Sequence, residues 1–316
     1  MTLENRRMLP FTLKPQFRDY VWGGSRLRPG HTPTAEAWAV YETNTIADGE
    51  FAGMTLGELA LKSGRDLLGT RVTQRIGNRF PILVKLLDCQ QWLSLQVHPN
   101  DRQAVDMAGA GQFGKTEAWY FLDADPDAEI LCGLTPGVSH EQMASAVRNG
   151  SILDLITRIS VAKGDYVLIP AGTIHALGPG LLVYEVQESS DITYRVFDWN
   201  RPASEGRTLH IEPSIKVINT SLRMEVKASE SDRQISPLIS CDYFTLEKII
   251  PEAQSISTRL NGESFHALTV IEGEAVVKGD NWSYHLAKYA SLILPASCDE
   301  YIIEKQKGCE LLRATA

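Results

Sequence analysis

The stretch Leu95-Gln96-Val97-His98-Pro99-Asn100-Asp101 carries an amide and an imidazole two residues apart. Leu93, Leu95 and Val97 alternate with Ser94, Gln96 and His98, and period two predicts a strand with one face in a core. Gln96 and His98 then stand side by side on the other face. Glu117 falls in a second alternating run, with Lys115, Glu117 and Trp119 on one face. His175 ends a strand-and-turn stretch that begins near Val161 and passes through Ile169-Pro170-Ala171-Gly172. Two imidazoles, a carboxylate and an amide oxygen form a mixed nitrogen and oxygen donor set. Such a set suits Zn2+, and also Ni2+, Co2+, Fe2+ or Mn2+. Structural zinc more often takes cysteines, and none is placed for that here. Taken singly, each residue has a plainer reading: a hydrogen-bonded histidine, a surface glutamine, a carboxylate paired with Lys115. Spacing alone does not decide between them.

The elements that would position these groups are mostly short strands. Phe80 to Leu87 is an apolar run bounded by a turn, which reads as a buried strand. Pro99 ends the Gln96 strand, and Asn100-Asp101 offers an N-cap for a helix from about Arg102. Thr55-x-x-Glu58 is a capping box, and its helix ends near Ser63-Gly64. Ser139-x-x-Gln142 and Asn149-Gly150 bracket another helix. Leu181 to Phe197 is strand-rich and breaks at Ser189-Ser190-Asp191. Ala35 to Tyr41 alternates, with Glu36, Trp38 and Val40 on one face.

From about Cys241 the pattern is strand and turn: Tyr243–Ile250, Ala267–Ile271, Glu274–Val277, Tyr289–Leu294 and Glu300–Glu304. Many short strands at close spacing predict a sandwich or small barrel. Lys227-Ala228-Ser229-Glu230-Ser231-Asp232 is the candidate linker. We therefore expect a mainly β chain of two domains, residues 1–235 with a few short inserted helices and a smaller domain at 236–316. The run Lys288 to Ala296 parallels Lys163 to Ala171, and aligning Pro295 with Pro170 sets Glu300 where His175 lies. His266, Glu300 and His285 do not make a convincing set of three ligands, so this half is expected to bind no metal.

The chain has 316 residues and a net charge of −8, which disfavours nucleic acid or an anionic membrane as the main partner. A small anionic substrate stays compatible, through a local basic pocket. The five cysteines are scattered and form no CxxC, as expected of a reduced, cytoplasmic chain. No apolar run is long enough to span a bilayer, and the N-terminus lacks the apolar core of a signal peptide.

Three phrases closely resemble, in order, the metal-binding motifs of mannose-6-phosphate isomerases of the zinc-dependent cupin type. They are Leu95 to Asp101, Gly114-Lys115-Thr116-Glu117-Ala118-Trp119-Tyr120, and Ile169-Pro170-Ala171-Gly172-Thr173-Ile174-His175-Ala176-Leu177. Glu185 to Arg201 resembles that family's active-site strand, and Tyr20-Val21-Trp22-Gly23-Gly24 and the Glu36/Trp38 strand match as well. The length, without a large helical insertion, resembles the short bacterial and archaeal branch. The resemblance implies two cupin (jelly-roll) domains. It implies one Zn2+ per chain, or another divalent transition metal, held by His98, Glu117, His175 and, least firmly, Gln96. It implies Arg195 as the catalytic arginine and Lys115 and Glu185 as catalytic or pocket residues. Arg201, Trp22 and Glu36 are implied to line the substrate site. The implied reaction interconverts a sugar-phosphate aldose, mannose 6-phosphate, and a ketose, fructose 6-phosphate, through an enediol. Plainer partners exist for Arg195 (Asp198 or Asp191) and Lys115 (Glu117). Another cupin enzyme, such as an oxygenase, would lean on more histidines. A sugar-phosphate sensor need not keep the ligand set and Arg195.

Overall fold

The computed structural model describes residues 7–31, 33–202, 207–229, 233–251 and 254–316, in which strand outweighs helix. The chain divides into two compact units, each discontinuous in sequence. One unit is residues 1–16, 38–84 and 229–316; the other is residues 17–37 and 85–228. The division expected at 235/236 falls near the last of these boundaries, but it assigns 1–16 and 38–84 to the other partner. The physical reason is local. The amides of Thr70 and Arg71 donate to the Gly262 and Glu263 carbonyls at 3.0 Å, and those of Ala296 and Ser297 to Leu67 and Asp66 at 2.9 Å. Gly69 sits at φ +90°, where a Cβ would lie 2.3 Å from the Glu263 oxygen, so only glycine lets these segments meet. The helices Leu56–Ser63, Arg65–Leu68 and Thr70–Ile76 therefore belong with the C-terminal strands. Lys227–Ala228, inside the candidate linker, pairs instead with Tyr166 and Asp165 as a short strand, and residues 230–232 lie outside the described residues.

The unit containing the C-terminus stacks a six-stranded antiparallel sheet on a four-stranded one. Leu268, Val270, Leu292, Leu294 and Leu311 of the first pack against Ile256, Val277, Tyr301 and Ile303 of the second. Those positions alternate along each strand, as a half-buried sheet requires. His266, Glu300 and His285 each have a separate partner there. His266 meets the Tyr301 hydroxyl at 3.0 Å, Glu300 accepts from Ser257, and His285 lies 3.0 Å from an exposed Glu274 carboxylate.

The second unit is also a sandwich. One sheet runs Tyr194–Phe197, Leu95–Val97, His175–Leu177, Glu129–Leu134, Ile156–Ser160. The other places Lys227–Ala228, Asp165–Ile169, Glu117–Ala124 and Leu181–Glu188 side by side, followed by residues 85–89, 36–37 and 17–18. Leu87, Cys89, Trp119, Phe121, Val183, Ile130, Cys132 and Leu177 fill the space between the sheets. Leu95, Val97, Ala176 and Val196 point the opposite way, under the helices His140–Asn149 and Ile211–Val217. Alternation then forces Gln96 and His175 inward.

The helix His140–Asn149 holds that outer layer, and it starts with a complete capping box. Ser139 Oγ accepts from the Gln142 amide at 3.2 Å, and Gln142 Oε1 accepts from the Ser139 amide at 2.9 Å. Ser139→Ala should cost about 1 kcal/mol and lower the melting temperature by roughly 2 °C. An unchanged thermal melt would show that tertiary packing alone fixes this helix.

Candidate active site and metal centre

Register explains why the candidate ligands meet. His175 pairs across from Gln96, and Gln96 from Arg195, so all three project from one face of the five-stranded sheet. On the facing sheet, Glu117 pairs with Gln187 and Trp119 with Glu185, again on one face. The two faces close on each other, and His98, Glu117 and His175 are buried to within 2% of full. Their ligand atoms all lie within 4.8 Å of one another, the one His/Cys/Asp/Glu cluster of this kind among the described residues.

The hydrogen bonds orient both imidazoles. His98 Nδ1 donates to the Ile192 carbonyl at 2.7 Å and His175 Nδ1 to the Thr173 carbonyl at 2.9 Å. A carbonyl has no proton to give, so each Nδ1 carries the hydrogen and each Nε2 keeps its lone pair when the ring is neutral. Both Nε2 atoms face Glu117: His98 Nε2 is 3.5 Å from Oε2, and His175 Nε2 is 3.2 Å from Oε1. Burial, with Lys115 beside it, holds the His98 imidazolium well below the usual histidine range, so the ring is neutral. Burial alone would raise the Glu117 carboxyl, but the charge of Lys115 beside it leads the influences that hold it well below the usual carboxylate range.

These donors fit a divalent ion. Both Glu117 oxygens are buried and receive no hydrogen bond of good geometry. Lys115 Nζ does stand 3.0 Å from Oε2 and 3.1 Å from His98 Nε2, so its contact with the carboxylate is a charge contact. A carboxylate and two imidazole lone pairs turned on one point make three acceptors that want a cation. Two carbonyl-anchored histidines are the usual outer support of metal-bound imidazoles. Gln96 turns its amide Nε2 toward His175 Nε2 at 3.3 Å; a flip of the amide presents Oε1 to the same place.

A second buried charge cluster lies along the same sheet. Lys85 Nζ is 3.2 Å from Glu185 Oε1 and 3.9 Å from Glu36 Oε2, and Trp119 Nε1 donates to Glu185 Oε2 at 3.0 Å. Burial works against the Lys85 charge, but Glu185, Glu36 and Glu117 raise it above the ordinary lysine value. The sequence reading passed over Lys85, although the signal was there. A lysine at an inward position of an apolar strand is rare unless it is paired. Glu36 joins this cluster. Trp22 does not: it sits in the apolar core, 3% exposed.

Arg195 is half-buried on Tyr194–Phe197. Its amide donates to His210 Nδ1 at 3.1 Å, its Nη1 donates to the Thr208 carbonyl at 3.0 Å, and its Nε is buried without a partner. Arg201 is tied down: it donates to Asp198 at 3.1 Å, Gln91 at 3.2 Å and the Trp92 carbonyl at 2.8 Å. Arg207, which the sequence reading did not single out, also grips Asp198, with Nη2 at 2.8 Å from Oδ1.

The family models match in two places. Residues 10–136 match the phosphomannose isomerase type I catalytic domain, and residues 234–314 match the mannose-6-phosphate isomerase cupin domain. The chain is 35% identical over 315 residues to the mannose-6-phosphate isomerase ManA of Bacillus subtilis, covering 95% of this chain and 97% of that protein. The chain belongs to the type I mannose-6-phosphate isomerase family. A mannose-6-phosphate isomerase of Streptococcus mutans is 34% identical, covering 90% of this chain and 92% of its own. The crystal structure of the Bacillus subtilis mannose 6-phosphate isomerase superposes with a TM-score of 0.85 at 32% identity, over 96% of this chain and 99% of that one. A Salmonella typhimurium phosphomannose isomerase variant gives a TM-score of 0.76 at 18% identity, over 96% and 98% of the two chains, a likeness of fold alone. The expected cupin architecture is thus that of the family. The catalytic-domain match takes in Gln96, His98, Lys115 and Glu117; His175 and Arg195 lie beyond it and reach the site through strand pairing. Among the described residues no helix is long and apolar enough to cross a membrane.

Proposed function

We propose that this chain interconverts mannose 6-phosphate and fructose 6-phosphate, with one divalent metal, zinc first among the choices, held by His98, Glu117, His175 and the Gln96 amide oxygen. The observation that carries this reading is the convergence of two Nε2 lone pairs on an unsatisfied buried carboxylate beside Lys115, with Arg195 paired across from Gln96. The ring must open, a proton must leave C2 and return at C1, and negative charge develops on O1 and O2 of an enediol. A bound metal supplies Lewis acidity to those oxygens. Arg195, with an unpaired buried Nε, offers fixed donors to a developing oxyanion or to the phosphate. Lys115 is a point charge beside the same oxygens. Glu185 is the chain's candidate for taking the C2 proton: Trp119 and Lys85 fix its carboxylate, and its Oε1 carries no hydrogen bond of good geometry. Arg201 and Arg207 both pair with the Asp198 carboxylate, and a phosphate would compete with it for their donors. Five free cysteines support a reducing, cytoplasmic setting.

The test is a coupled assay that starts from mannose 6-phosphate and reads fructose 6-phosphate, on protein whose metal content is measured. Turnover should scale with bound metal up to one ion per chain. A preparation carrying one ion per chain that turned over neither sugar phosphate would overturn the reading.

A further inference from the structure

Lys115 lies just outside its strand, which begins at Glu117, and three successive amides hold the segment that carries it. Gly114 N–H donates to Asp101 Oδ1 at 2.7 Å, Lys115 N–H to the Pro99 carbonyl at 2.9 Å, and Thr116 N–H to Glu188 Oε1 at 2.7 Å. The ladder between Glu117–Ala124 and Leu181–Glu188 ends at the Glu117–Gln187 pair. Beyond it the Glu188 amide still donates to the Thr116 carbonyl at 3.1 Å, and the Glu188 side chain takes the place of the next main-chain acceptor. Thr116 Oγ1 in turn accepts from the Ala171 amide at 3.3 Å, in the turn that precedes His175. The fit is tight, since a Cβ on Gly114 would stand 2.5 Å from the Asp101 nitrogen.

Each carboxyl group accepts from one backbone amide of the 114–116 segment. Burial, and the Asp101 carboxylate nearby, push the Glu188 carboxyl up to about 8, so near neutral pH Glu188 carries a proton that it can share with Asp101.

We propose that the Asp101–Glu188 carboxyl pair is the positioning device for Lys115, acting through the backbone of Gly114 and Thr116. The proposal rests on the isomerase reading of the site that Lys115 enters. The lysine stem has four rotatable carbons, so its ammonium is placed only as well as its backbone is. That ammonium stands 3.1 Å from His98 Nε2 and 3.0 Å from Glu117 Oε2, where a shift of a fraction of an ångström changes both contacts. A displacement of about 1 Å at a reacting centre costs on the order of 10²-fold in rate. Glu188 touches no reacting group itself; it is a positioning residue.

Glutamine at 188 separates hydrogen bonding from charge. Its carbonyl accepts from Thr116 and its amide donates to Asp101, as the protonated acid does. On the metal-loaded full chain, Glu188→Gln should keep kcat within about twofold of wild type, with wild-type amide exchange over 114–117. Glu188→Ala should lower kcat by roughly 10- to 100-fold, speed exchange over 114–117, and leave KM and one bound metal per chain unchanged. A purely structural role would lower the melting temperature without this split between kcat and KM. A glutamine variant as damaged as the alanine variant would overturn the proposal, because the charge of Glu188 would then be what matters. An alanine variant with wild-type kcat and exchange would overturn it too. Where the alanine variant does not fold, the glutamine arm alone decides. Where the wild-type chain turns over no sugar phosphate, the isomerase reading fails, and the exchange comparison still decides whether the pair clamps the segment.

Discussion

His98→Ala combined with His175→Ala should empty the chain of metal and abolish isomerase activity. The two Nε2 atoms and the Glu117 carboxylate form the one three-residue ligand cluster among the described residues. A stable zinc site normally needs three or four protein ligands, and the double substitution leaves Glu117 and Gln96. Several kcal/mol of Lewis-acid stabilisation goes with the ion, which is a factor of about 10³ or more in kcat. Elemental analysis should fall from about one ion per chain to none. The melting temperature should match that of chelated wild type, because an ion that binds only the folded state stabilises it by mass action. Added Zn2+ should raise the wild-type melt and leave the variant's unmoved. An ion that survives the double substitution would place the metal elsewhere and undo the ligand assignment.

The parts of this structure that local chemistry governs were legible in the sequence. Thr55, Asn100 and Ser139 cap helices with Glu58, Gln103 and Gln142 three residues on, and each capping box is present. Alternation set Gln96 and His98 together on the face opposite Leu95 and Val97, but it carried no sign that this face meets a second sheet, whose strand presents Glu117 to it. What alternation could not show is which strands neighbour one another. The Gln96 strand lies between the His175 and Arg195 strands, which are far from it in sequence, and only long-range pairing creates that order. The same limit explains the units. Residues 38–84 read as part of an N-terminal domain, yet their backbone bonds reach Gly262, Glu263, Ala296 and Ser297. Lys85 was lost inside an apolar run because its partners, Glu36 and Glu185, come from other strands. The helix Ile211–Val217 was missed because a seven-residue helix with no side-chain cap leaves little periodic signal. Arg201 illustrates the opposite case. A basic residue matching a pocket position is committed to Asp198, Gln91 and Trp92, and a motif does not reveal such partners.

Arg195→Ala should cut kcat while the metal stays bound. Arg195 shares its face with Gln96 and His175, but it contributes no ligand atom. Its backbone is held independently of its side chain, through the amide bond to His210 Nδ1 and the His210 amide bond back to the Arg195 carbonyl at 2.7 Å. Truncation therefore removes the guanidinium and leaves the strand in place. The buried Nε has no protein partner, so the side chain gives up little internal bonding beyond the one contact with Thr208. A fixed donor to charge that develops in the transition state contributes about 2.7–4 kcal/mol, a factor of roughly 10²–10³ in kcat. Arg195→Lys should restore little, since an ammonium cannot reproduce the planar, rigid donor array. The division between kcat and KM identifies the contact. A loss confined to kcat places the guanidinium on the enediolate, whereas a rise in KM with kcat unchanged places it on the phosphate. Wild-type kinetics on both measures, or loss of the metal on the scale of the double histidine variant, would remove Arg195 from the catalytic face.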